Sequence, residues 1–182
     1  MKIGIIIGSI REGRAGESVG AWVADGAAKR QAAEYEVIDL KGFDVPLFTD
    51  ARHPMAMGKS YDDARVQAWS DAIDACDAYV FVTPEYNHAV PGAFKNAVDS
   101  LGSEWMWKAV AFVGYGSVSG VRAIENWRTS LANFQMYDIR TEVNLNLFTD
   151  FSEGKATPAE RHLKLLENLF NDLEEVAAQL AR

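Results

Sequence analysis

Residues 78–92 read AYVFVTPEYNHAVPG: an apolar run from Ala78 to Thr83, then a loop braced by Pro84 and Pro91. No charge interrupts the run, the pattern of a strand covered on both faces in a parallel sheet flanked by helices. On both sides of it, short β-branched runs alternate with longer stretches of helical period. Upstream lie a strand at Ile3–Ile7, a helix from about Glu17 that aligns Val19, Trp22, Val23 and Ala27, a strand at Tyr35–Leu40 and a helix over Tyr61–Ala75. Downstream follow a helix at Gly92–Leu101, a strand at Ala109–Tyr115, a helix at Val121–Phe134 and a weaker strand at Glu142–Asn146 beginning near Tyr137. A closing helix running nearly to Arg182 is announced by Thr157 as N-cap, Pro158 in the first position and Glu160 in the third.

Five strands and five helices in alternation predict an α/β fold: a doubly wound five-stranded parallel sheet in the order 2-1-3-4-5, helices on both faces, as one domain over residues 1–182. Ligands of such sheets bind beyond the carboxyl ends of the strands, here the first and third. The connection Lys41–Ser60, with Pro46, Pro54 and Gly58, is too irregular for a helix and long enough to suggest a functional or oligomer contact.

Composition excludes several classes. A formal charge of −8 argues against nucleic acid as a partner, since such proteins need a basic face to displace counterions. The lone Cys76 rules out an internal disulfide and, with no Cys/His cluster, no metal is expected; a reducing cytoplasm fits. The apolar run at the start ends at Gly8 and reads as a strand rather than a secretory leader, and no stretch is long enough to span a membrane.

Three loops carry the chemistry. Residues 8–19, GSIREGRAGESV, combine glycines for close backbone approach, the hydroxyls of Ser9 and Ser18, the charges of Arg11 and Arg14 and a helix N-terminus, all suited to a phosphate dianion. The segment is neither a dinucleotide fingerprint nor a triphosphate loop, and the bland reading is a glycine-rich turn whose serines cap the helix. Residues 83–92 leave the same end of the sheet; Tyr86 and Asn87 in a rigid loop suit the polar edge of a planar ring. Glu85 reads as a loop-bracing or helix-capping residue before a general base, and His88 as incidental before a proton donor. Residues 114–120, GYGSVSG, pass close to a ring, or simply let Ser119 cap the next helix. Trp105 and Trp107 fit either core packing or the wall of a shared pocket.

The stretches GSIREGRAGESVGAWV, VFVTPEYNHAVPGAFKNAVDSL and VGYGSVSGVRA resemble the three flavin-contacting segments of the NADPH-dependent FMN reductase family, the middle one most specifically. The resemblance implies a flavodoxin-like fold with FMN phosphate held by Ser9, Arg11, Arg14, Glu17, Ser18 and Val19, the last three through backbone amides. It implies that Pro84, Glu85, Tyr86 and Asn87 line the isoalloxazine, that Ser117 and Val118 close a third side, and that Lys95 and Asn96 brace the following helix. It implies hydride transfer from NADPH or NADH through the flavin to a small acceptor (a flavin, quinone, azo compound or metal oxyanion), with no catalytic side chain required, in a homodimer or homotetramer. The rival is a flavodoxin-type electron carrier that does not oxidise NAD(P)H itself. The third loop departs from the family, with Ser117 in place of a glycine and one residue fewer before Gly120.

Overall fold

The computed structural model describes residues 1–181. Its core is the predicted sheet: β1 (Lys2–Ile7), β2 (Glu34–Asp39), β3 (Ala78–Pro84), β4 (Ala109–Gly116) and β5 (Tyr137–Asn146) pair in the order β2-β1-β3-β4-β5, all parallel. Four helices cross over between them, α1 (Gly16–Ala27), α2 (Ala64–Asp74), α3 (Gly92–Asp99) and α4 (Val121–Leu131), and α5 (Glu160–Leu180) follows β5. Among the described residues no helix is long and apolar enough to cross a membrane.

Strand periodicity sorts the core into two chemically distinct layers. Ala78, Val80 and Val82 join Ile3, Ile5 and Val113 in an aliphatic layer under α1 and α5. Tyr79 and Phe81 face the other way, into a layer under α2, α3 and α4 that holds Trp69, Phe94, Trp105, Phe112 and Trp127. Phe81 is its hub, with ring centroids 4.8 Å from Phe94, 5.4 Å from Trp127 and 6.0 Å from both Trp105 and Phe112. Trp105 is thus core, whereas Trp107 two residues on is 62% exposed.

The differences from the sequence reading have local causes. The second helix starts at Ala64, because the Asp63 carboxylate caps the Arg65 amide at 2.8 Å while Tyr61 is drawn away to donate to Glu104 at 2.7 Å. Glu104 is fully buried, and the hydroxyl of Ser70 and the amide of Gly102 complete its shell at 2.7 and 2.9 Å, so one carboxylate ties down the end of the long connection. That connection contains two short 3₁₀ turns, Leu40–Phe43 and Pro54–Ala56. Asn96 does not brace its own helix: it donates to the Pro46 carbonyl at 2.8 Å and accepts from the Phe48 amide at 2.9 Å, clamping the connection onto α3, while Lys95 pairs along α3 with Asp99.

Thr157 is not the cap of the last helix. A hairpin of β6 (Phe151–Ser152) and β7 (Lys155–Ala156), turning through Glu153 and Gly154 at positive φ, was not anticipated. Thr157 still belongs to it, donating its amide to the Asp150 carbonyl at 2.8 Å, so the helix begins three residues on with Ala159 as N-cap. On α5, Glu174 accepts from Tyr35 at 2.9 Å and pairs with Arg30, closing the aliphatic layer at its rim.

Candidate functional site

β1, β3 and β4 are sheet neighbours, so the loops that follow them emerge side by side at one end. Together with Leu147, just past β5, they enclose a cavity of about 320 Å³. Ser9, Arg11 and Arg14 of the first loop, Pro84, Glu85 and Tyr86 of the second and Ser117 of the third line it. Glu17, Ser18, Val19, Asn87 and Val118 do not.

The first loop is set by a close approach beneath it. Gly8 extends the ladder, its amide donating to the Val82 carbonyl at 3.0 Å, and a Cβ on it would lie 2.0 Å from the Phe94 ring. At the other end of the loop the amides of Ser18 and Val19 both donate to the Ala15 carbonyl, at 3.1 and 3.2 Å, within the first turn of α1. The Ser18 hydroxyl faces away from the cavity, donating to the same carbonyl at 2.8 Å and accepting from the Ala156 amide of the hairpin at 2.9 Å. Val19 is wholly buried in the aliphatic core. The amides of Gly16 and Glu17 meet no acceptor among the described residues, leaving the orphan donors typical of a helix start.

The two arginines differ. Arg14 engages all five of its N–H donors within the chain: Nε and Nη2 to Glu17, Nη1 and Nη2 to Asp39, and Nη1 to the Ser9 carbonyl. The register opposes Ile7 to Asp39, so this carboxylate stands at the very point where the loop leaves β1. The Asp39 hydrogen bonds outweigh burial and hold the guanidinium firmly charged; burial opposes ionisation of Asp39 itself, but Arg14 and the Lys41 amide keep its carboxyl below the ordinary range. Arg11, by contrast, is exposed, its guanidinium carbon 5.7 Å from the Tyr86 ring centroid.

In the second loop the Glu85 carboxylate is 6% exposed and caps α4, accepting the Arg122 amide at 3.1 Å and pairing with its guanidinium at 3.0 Å. Ser119 therefore does not cap that helix. The N-cap is Gly120 at φ +75°, where a Cβ would come within 2.6 Å of the Tyr115 nitrogen. Tyr86 and Ala89 exchange backbone bonds at 3.1 Å around Asn87 and His88, both at positive φ, the signature of a tight hairpin turn. Tyr86 itself reaches back to the first loop, its hydroxyl 2.9 Å from that of the buried Ser9.

Sequence reasoning missed Tyr115 and Leu147. Tyr115 is 5% exposed and reads as a core strand residue, yet a Cβ on Gly16 would lie 2.6 Å from its hydroxyl, which therefore sits against the start of α1. Burial, reinforced by the neighbouring Tyr86, pushes its phenol far above the ordinary range, so it stays a donor. Leu147 is held by its amide on the Gly116 carbonyl at 3.0 Å, a link between loops distant in sequence.

The sequence model of the NADPH-dependent FMN reductase family matches residues 1–150. An NAD(P)H-dependent FMN reductase of Saccharomyces cerevisiae is 34% identical over 145 residues, covering 75% of this chain and 76% of its own. One of Nectria sp. is 36% identical over 126 residues, which span 67% of this chain and 63% of that relative. Among solved structures, the FerB flavoenzyme NAD(P)H:(acceptor) oxidoreductase of Paracoccus denitrificans superposes with a TM-score of 0.75, covering 98% of this chain and 97% of its own at 19% identity, a likeness of fold alone.

Proposed function

The chain belongs to the NADPH-dependent FMN reductase family, and on that premise we propose that it binds FMN in the cavity between the three loops and passes hydride from NAD(P)H to a small electron acceptor. The observation that carries this reading is convergence: an exposed arginine, Arg11, and the buried hydroxyls of Ser9 and Tyr115 line one cavity beside the start of α1, a set of donors suited to a phosphate dianion. FMN bound there would supply the hydride chemistry, for which the protein needs only to hold and orient the ring.

The chain's own residues bind and orient. Arg11, Ser9 and the amides of Gly16 and Glu17 hold the phosphate, with Arg14 shaping the loop from behind through Asp39. Pro84, Glu85 and Tyr86 set one edge of the ring, and Ser117 closes another. Glu85, engaged by Arg122, fixes the second loop against α4 and is not itself a free base. A quinone, free flavin, azo compound or metal oxyanion reaches the ring through the open mouth.

The whole of residues 1–182 acts as one domain, in a cytoplasmic homo-oligomer. Leu47, Phe48, Met55 and Trp107 are large apolar side chains 40–79% exposed, a surface that association would cover.

Anaerobic mixing of the FMN-loaded protein with NADPH or NADH tests the reading. Rapid bleaching of the flavin without any partner protein is expected. A flavin that stays oxidised until a redox protein is added establishes the electron carrier instead.

A further inference from the structure

Resting on that reading, we propose that the phosphate is recognised by a pair of tyrosine hydroxyls, Tyr86 from the ring loop and Tyr115 from β4, and that these set the preference for FMN over riboflavin. Arg14, the residue whose position in the loop marks it for a phosphate, has no donor left, since its five N–H groups are all engaged within the chain. The Ser18 hydroxyl is likewise committed, to Ala15 and Ala156.

What remains beside the start of α1 is a cluster of three hydroxyls, Ser9, Tyr86 and Tyr115. Ser9 and Tyr115 are 2% and 5% exposed, and the Tyr115 hydroxyl lies against Gly16, beside Ser9 and Tyr86. Three hydroxyls carry three protons. The Ser9–Tyr86 bond consumes one, and even a second bond from Tyr115 to Ser9 leaves one proton with no acceptor in the cluster. A phosphate dianion has only acceptors and is charged, so it takes such a proton in a charge-assisted bond, whereas the terminal hydroxyl of riboflavin offers a single neutral acceptor. The Arg11 guanidinium over the Tyr86 ring adds charge on the open side.

The cluster also joins the parts of the site. Tyr86 belongs to the loop that follows β3 and Tyr115 to the end of β4, so the phosphate is read from three strands rather than from the first loop alone.

The test is equilibrium binding of FMN and of riboflavin, followed by flavin fluorescence, to the wild type, Tyr115→Phe and Tyr86→Phe. Riboflavin shares the ring and lacks the phosphate, so its affinity reports intact folding of each variant. Each substitution is expected to weaken FMN about 10- to 100-fold, the range for a hydrogen bond to a charged group, and to leave riboflavin within about twofold. Equal losses for both ligands, or no loss of FMN in either variant, overturn the proposal while FMN binding by the wild type upholds the functional reading. A wild type that binds neither flavin overturns both.

Discussion

Replacing Gly8 by alanine asks a single methyl group to share space with a ring. The new Cβ would lie 2.0, 2.5 and 2.9 Å from three atoms of Phe94, and ordinary contact begins near 3.4 Å, so the ring must retreat by about 1.4 Å. It has nowhere to go: Phe94 is fully buried with Phe81 and Trp127 both at 4.8 Å between centroids. Overpacking of a well-filled core costs about 1–3 kcal/mol, and the confinement of Phe94 puts this case at about 3. For a chain of this size that lowers Tm by roughly 6–12 °C. Urea denaturation of Gly8→Ala, Phe94→Ala and the double variant isolates the clash. Phe94→Ala alone costs about 3–5 kcal/mol through its cavity, and in that background Gly8→Ala should cost nothing, because the atoms it strikes are gone. Additive losses in the double variant refute the steric account.

The two loop arginines should separate cleanly. Arg14→Gln lowers stability by about 1–2 kcal/mol, discounted because Asp39 is partly solvated, whereas Arg11→Ala leaves Tm unchanged and weakens FMN by about 1.5–3 kcal/mol; an Arg14 variant with unaltered Tm and lost FMN reverses their roles. His88→Gly relieves a side chain held at φ +75° and should stabilise the protein by about 0.5 kcal/mol, with a fall in Tm counting against it. Burial pulls the His162 pKa below its ordinary 6.5, with Asp150 opposing and Arg161 assisting, and its Nδ1, 3.6 Å from the Asp150 carboxylate, makes no hydrogen bond among the described residues. The unfolded chain then binds the proton more readily than the folded one, so stability present above about pH 6.5 is lost as pH falls below it. Thermal melts between pH 7 and 5 should be flatter for His162→Gln, and identical slopes dismiss the histidine.

The fold was legible because its signals are local. The unbroken run Ala78–Thr83 marks a central strand by itself, and alternation of strands and helices leaves few topologies. The site was legible only in part, because what a loop residue does depends on who stands beside it. Arg14 reads from its loop as a phosphate ligand, and only the strand register shows that Asp39, 25 positions away, also engages its guanidinium. Tyr115 carries no local mark of a cavity residue, since a tyrosine within a strand reads as core, and only the tertiary fold sets its hydroxyl at Gly16. The β6–β7 hairpin escaped for a different reason: strands of two residues have no period to detect, and Glu153-Gly154 is a weak turn signal beside Asn-Gly.

The aromatic layer built around Phe81 divides the molecule by mobility. Amide protons of β3 are locked by ladders on both sides and by rings packed beneath, so they exchange with solvent only when the whole sheet opens. Beyond Pro84 the chain turns back on itself through two exposed residues and depends on a few backbone bonds and the Glu85–Arg122 pair. The ligand-binding end can therefore breathe on a fast timescale while the scaffold stays shut, and in deuterated water the boundary between slow and rapid exchange should fall within the stretch Thr83–Tyr86.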